Sequence, residues 1–125
     1  YAVVQYAEPR YTKDLDIWIS TDTANAASVY KSLKEFGAPL AELTKEDFSE
    51  EGYFYQMGLP PLRVDILMGI PGIDFESAWK KKVEVKFDEL AVSFISKEDL
   101  ITAKRASGRP QDLMDADALE NTINI

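Results

Sequence analysis

At 125 residues, 46% of them hydrophobic, the chain has enough apolar side chain for one compact domain with a real core and too little length for two. It contains no cysteine and no histidine, which removes disulfides, thiolate and imidazole metal ligands and the usual general base, so any metal must be held by oxygen. A net charge of −8 argues against broad, non-specific nucleic-acid binding, yet allows a nucleotide whose phosphates are bridged by metal.

Tyr1 to Ala7 is apolar and unbroken, as at the end of a helix, and Pro9 stops it because the residue before a proline is pushed out of α geometry. Glu8 to Lys13 reads as a loop. In it, Arg10 and Thr12 offer a cation and a hydroxyl either to a phosphate or merely to the solvent of an exposed turn. A strand follows from about Asp14 to Ser20. Alternation puts Asp14 and Asp16 on one face and Leu15 and Ile17 on the other. Two carboxylates that converge raise each other's pKa and repel unless a cation lies between them, and hard oxygen ligands of this kind suit Mg²⁺ or Mn²⁺. The bland reading is a strand whose aspartates face water.

Thr21 or Asp22 can cap a helix over Ala24 to Phe36, whose stripe of Ala26, Val29, Tyr30, Leu33 and Phe36 would pack on a sheet; Gly37 closes it and Pro39 prevents its resumption. Glu42, Glu46, Asp47, Glu50 and Glu51 crowd one segment, either a solvated face or a docking surface for a basic partner. Within it, Thr44 and Asp47 have the spacing of a capping box for a short helix. The aromatic run Tyr53, Phe54 and Tyr55 starts the next strand, a surface for ordinary sheet packing or for stacking on a base. Gly58 to Pro61 then turns the chain into Leu62 to Met68. That strand carries one acid, Asp65, among apolar neighbours, and such an acid needs a partner. A meander of neighbouring strands would bring Asp65 beside Asp16 and complete a three-carboxylate site.

Gly69 to Gly72 is a loop, and Asp74 to Lys81 a short helix with Phe75, Ala78 and Trp79 on one side. Lys80, Lys81 and Lys82 cannot all face one way, so they are either solvating charge or contacts to substrate phosphate. Val83 to Phe87 and Leu90 to Ile95 alternate as a hairpin, with a half-polar first strand suited to an edge. Ser96 caps a helix on which Leu100, Ala103, Lys104 and Ser107 share a face, so Lys104 must snorkel outward or meet an anion. Gly108 ends that helix and Pro110 opens the next, with Asp112 in its first turn, where a negative charge suits the helix dipole. Beyond Asn121 there is no periodic signal. The whole reads as a single α/β (α+β) domain over 1–125, a small mixed or antiparallel sheet with helices packed on it. No run approaches the ~18 apolar residues of a membrane span, and the N-terminus lacks the basic-then-apolar order of a signal peptide, so a cytoplasmic protein with no membrane partner is expected.

Arg10, Thr12 and the Asp14-Leu15-Asp16 strand, followed by Asp65 on a second strand, resemble the nucleotidyltransferase superfamily of the DNA-polymerase-beta-like fold. More closely, Tyr1 to Ile19 and the run from Glu98 to Asp115 resemble the AbiEii-type nucleotidyltransferases of bacterial toxin–antitoxin systems. The resemblance implies that Asp14, Asp16 and Asp65 hold Mg²⁺ or Mn²⁺, that these three and Asp112 are catalytic, and that Arg10, Thr12, Lys104 and Arg109 contact the nucleotide. It further implies transfer of a nucleoside monophosphate from a nucleoside triphosphate to an acceptor, an RNA end such as tRNA, a protein or a small-molecule hydroxyl, in a chain with a cognate antitoxin or toxin as partner. The family's glycine signature would fall before Tyr1, so the chain is expected to be truncated at its N-terminus. The rival expectation is a catalytically degenerate nucleotidyltransferase-like domain acting as a protein-binding or antitoxin-like regulatory module.

Overall fold

The structure, a computed structural model, describes residues 14–59 and 62–121. The expected helix end over 1–7, the loop over 8–13, the turn at 60–61 and the tail after Asn121 lie outside the described residues. The fold is α+β, and its contacts cluster in two compact units, one running to Ile70 and the other from Pro71 onward.

In the first unit, β1 (Asp14–Trp18), β2 (Phe54–Leu59) and β3 (Leu62–Leu67) form a mixed sheet in the order β1-β3-β2. β3 is central. It pairs antiparallel with β2 and parallel with β1, so β1 joins the far side of the β2–β3 hairpin instead of extending a meander. Between β1 and β2 the chain passes through α1 (Thr23–Phe36) and a 3₁₀ turn at Lys45–Ser49. Both start where local chemistry dictates. The Asp22 side chain accepts from the Ala24 amide at 3.1 Å, and the Thr44 amide donates to the Asp47 carboxylate at 2.7 Å. Gly37 ends α1 at φ 94°, a left-handed turn that costs glycine no Cβ clash.

One face of this sheet carries the core. Ile66 and Met68 from β3 and its end, Ile19 after β1, Ala26 and Leu33 from α1, Leu40 and Phe48 are buried together, with Val29, Tyr30, Tyr55, Met57 and Val64 packed around them. Phe48 is wholly buried and meets Tyr30 and Tyr55 edge-on, with ring centroids at 6.3 and 5.8 Å. The Tyr55 hydroxyl donates to the Pro39 carbonyl at 2.8 Å, and burial pushes its phenol above the ordinary value. Tyr55 is thus a packing residue, the plainer of its two expected roles. Phe36 departs from the predicted stripe: as the last residue of α1 it is 76% exposed.

In the second unit, α2 (Phe75–Lys80) is capped by Asp74, whose carboxylate accepts from the Ser77 amide and hydroxyl. β4 (Val83–Phe87) and β5 (Leu90–Phe94) form the expected hairpin, but as a separate two-stranded sheet. Its turn places Asp88 at φ 57°. The Ser96 hydroxyl accepts from the Asp99 amide at the start of α3 (Lys97–Ser107), Gly108 ends it at φ 69°, and Pro110 opens α4 (Pro110–Glu120). Leu100 and Leu119 make this unit's core with Ile95 and Ile101. Gly72 is required on two counts: its φ is +83°, and a Cβ there would stand 2.8 Å from the Ala106 Cβ.

Phe48→Ala removes the ring on which the first core closes. We expect a loss of about 3–5 kcal/mol, read as a lowered midpoint in urea unfolding followed by circular dichroism; a loss under about 1 kcal/mol would show a site able to collapse around the void.

Candidate functional site

The face of the first sheet opposite the core is built by register. In the parallel ladder Asp14 stands beside Arg63 and Asp16 beside Asp65, while across the antiparallel ladder Gln56 stands beside Asp65. Registered neighbours in a sheet project to the same face, so Asp16, Arg63, Asp65 and Gln56 share one. Asp16 is exposed on edge strand β1, whereas Asp65 on the central strand is buried. The side chain of Asp14 lies outside the described part of the structure, as do Arg10 and Thr12 entirely.

Asp65 has the partner that its burial demands, and the partner is Arg63. Two residues apart on one strand, they lie on the same face; Arg63 Nε is 3.1 Å from Asp65 Oδ1, and its Nη2 donates to Oδ2 at 3.4 Å. The contact is long for an arginine–carboxylate pair, about 2.7–2.9 Å when well formed. Asp65 Oδ1 is fully buried, and the Nε contact lacks the alignment of a hydrogen bond. Among the described residues, no three acidic side chains are grouped so as to hold a metal ion. The donor chemistry nevertheless fits a hard divalent cation: only carboxylate and amide oxygen is on offer, and one buried carboxylate oxygen lacks an aligned donor.

The second expected constellation is brought together at the α3–α4 junction. Lys104 does meet an anion, and it meets two: its Nζ is 3.1 Å from Asp112 Oδ1 and 3.2 Å from Asp115 Oδ2. Asp112 also accepts from Arg109 Nε at 2.9 Å and from the Ser107 hydroxyl, while Gln111 Nε2 donates to Asp115 at 3.0 Å. Both aspartates are buried and Lys104 is half-buried; Arg109 is exposed. Burial alone would raise the Asp112 pKa, but hydrogen bonds from Ser107 and Lys104, the Lys104 charge and the Arg109 hydrogen bond outweigh it and hold the carboxyl below its ordinary range. A carboxylate so stabilised is a poor proton acceptor. Its position in the first turn of α4 adds the dipole contribution foreseen from the sequence.

The lysine run divides three ways. Lys81 pairs with the buried Asp99 at 3.0 Å, Lys82 lies over the Trp79 ring at 4.1 Å, and Lys80 faces solvent. Sequence reasoning missed Arg63 and Asp115. Their signals were present: Arg63 has the strand parity of Asp65, and Asp115 follows Asp112 at the helical spacing of three. Among the described residues, no helix is long and apolar enough to cross a membrane. Comparison with protein-family models and with curated proteins returns no match.

Lys104→Met removes the cation that two buried carboxylates share. We expect a loss of about 2–4 kcal/mol in urea unfolding at pH 7, largely recovered in a Lys104→Met, Asp112→Asn, Asp115→Asn triple variant. Because the folded Asp112 pKa is depressed, its contribution is complete above the ordinary value of 3.8 and disappears as pH falls through the lower folded value. Asp112→Asn should therefore flatten the fall in stability below about pH 4; an unchanged acid limb would show that Asp112 is not stabilised in the fold.

Proposed function

We propose that the chain is a metal-dependent nucleotidyltransferase domain, moving a nucleoside monophosphate from a nucleoside triphosphate to an acceptor hydroxyl on an RNA end, a protein or a small molecule. The observation that supports this reading is the register of the parallel ladder, which sets Asp65 directly beside Asp16. An Asp-x-Asp strand with a third aspartate on its neighbour is the arrangement the family resemblance calls for. Asp14, Asp16 and Asp65 are the residues that would hold Mg²⁺ or Mn²⁺. When bound, such an ion supplies Lewis-acid stabilisation of charge on the transferring phosphoryl group.

The chain's own residues divide the remaining work. Asp16, exposed on the edge strand, is the more accessible of the two to an incoming acceptor and the better placed to take its proton; Asp65, buried and held, anchors. Lys104 and Arg109 are the proposed phosphate contacts, each already engaged by Asp112, so a phosphate must compete with an internal carboxylate for them. Asp112 serves on this account as an anchor of that cationic pair. A cognate protein in a toxin–antitoxin pair is the proposed partner.

One observation favours a second reading, a degenerate nucleotidyltransferase-like domain that binds a protein partner without catalysis. In this structure the buried Asp65 is already engaged by an arginine on its own strand.

Calorimetric titration with ATP, CTP, GTP and UTP in the presence of Mg²⁺ separates the two. Magnesium-dependent binding of at least one nucleotide, reduced more than about tenfold by Asp16→Asn or Asp65→Asn, is expected for the enzyme, since each removes one charged ligand. No binding by any nucleotide, or binding indifferent to both substitutions, would favour the protein-binding module. Asp16→Asn should leave metal-free stability unchanged or slightly raised, because it relieves like-charge repulsion.

A further inference from the structure

The acidic face of the first sheet carries its own cation. Strand alternation puts Arg63 on that face, in register with Asp14 on one side and two residues from Asp65 on its own strand. Asp65 lies on the central strand with its side chain only 11% exposed, where an unpaired carboxylate is costly. Arg63 removes that cost in charge but not in geometry. Its Nε contact at 3.1 Å is off the hydrogen-bond line, its Nη2 bond is 3.4 Å, and Asp65 Oδ1 is left buried without an aligned donor. The Arg63 side chain as a whole is about three times as exposed as that of Asp65, at 32% against 11%, although its Nε is itself buried, so part of it borders solvent toward which it can withdraw. Arginine keeps its proton under all ordinary conditions, which leaves movement as its only way to give up an anion.

We propose that Arg63 is an exchangeable counter-ion for Asp65, holding the carboxylate while no divalent cation is bound and yielding it when one binds. The proposal rests on the reading of this face as a divalent-metal site, and it assigns to Arg63 the task of keeping a buried acid folded and charged in the metal-free protein. It also sets the metal affinity. An incoming ion must displace a like charge, so the site binds more weakly than its carboxylates alone would allow. Release leaves the guanidinium on the same face, a donor suited to phosphate oxygen.

The test is Mn²⁺ titration of the full chain and of Arg63→Gln and Asp65→Asn, followed by paramagnetic resonance of the free ion. Arg63→Gln should bind Mn²⁺ about three- to tenfold more tightly, the effect of removing one unit charge several ångströms from the ion in a water-rich setting. It should also melt lower than wild type without metal and regain more on adding Mn²⁺. Equal or weaker Mn²⁺ binding by Arg63→Gln, with binding lost in Asp65→Asn, would overturn the exchange while leaving the metal site standing. Absence of Mn²⁺ binding in every form would overturn both. A measurement on the wild type guards against a variant that fails to fold: the Arg63 Nε–H signal, assigned with Arg63→Lys, should shift and exchange faster with solvent on adding Mg²⁺. A signal indifferent to saturating Mg²⁺ would also refute the exchange.

Discussion

The parallel ladder between β1 and β3 is the constraint from which the candidate site follows. A strand's side chains alternate with a period of two, so a slip of one residue in this pairing would turn the aspartates of β1 toward the core and its leucine and isoleucine toward water. The apolar face forbids that slip. Val64 and Ile66 on β3, Met68 just after it and Ile19 after β1 are committed to the cluster around Phe48, and their commitment sets Asp16 beside Asp65 on the reverse side. Packing on one face thereby writes the chemistry of the other. The order β1-β3-β2 matters equally, because it makes β3 central and buries Asp65. On edge strand β1, by contrast, Asp16 is exposed, as are Leu15 and Ile17.

Burying acids in a protein of net charge −8 obliges the fold to place its cations with care. Three of the buried acids solve the same problem in different ways. Asp65 is held by an arginine on its own strand through a loose contact. Asp99, at the start of α3, receives Lys81 from the end of α2 at 3.0 Å, while its second oxygen is buried without a hydrogen bond. Asp112 is the best satisfied, with donors from Lys104, Ser107 and Arg109. The difference in quality is informative. A carboxylate with donors on both oxygens, like Asp112, is a structural staple, and its lowered pKa expresses that. One whose partner approaches off-line, like Asp65, keeps a buried oxygen without an aligned donor.

The α3–α4 junction shows how a residue's need can be read from the sequence before its partners in the fold are known. A lysine on the inward face of an amphipathic helix requires an anion. The resemblance supplied a phosphate; the fold supplies Asp112 and Asp115, which the tight turn through Ser107, Gly108 and Arg109 folds back over Lys104. On the outer side of the same helix pair, Arg105 reaches Asp117 and Glu120. These outer contacts are exposed and contribute little, whereas the inner ones sit where solvent screens them less.

Helix limits and strand parity are local matters, and the sequence determined them. Asp22, Asp74 and Ser96 cap the helices they precede, Gly37 and Gly108 end theirs in left-handed turns, Pro110 opens the last, and the acids of β1 fall on one face of an alternating strand. Each depends on the side chains and dihedrals of a few neighbouring residues, which is why it can be read without knowing the fold. Tertiary structure decided what those faces meet. Which strand became central, that β4 and β5 formed a sheet of their own, that Phe36 was left exposed, and that Asp65 and Lys104 found internal partners all depend on residues distant in sequence or on the turn that returns the chain. Even Arg63, only two residues from Asp65, became its partner because burial on the central strand made an uncompensated charge too costly.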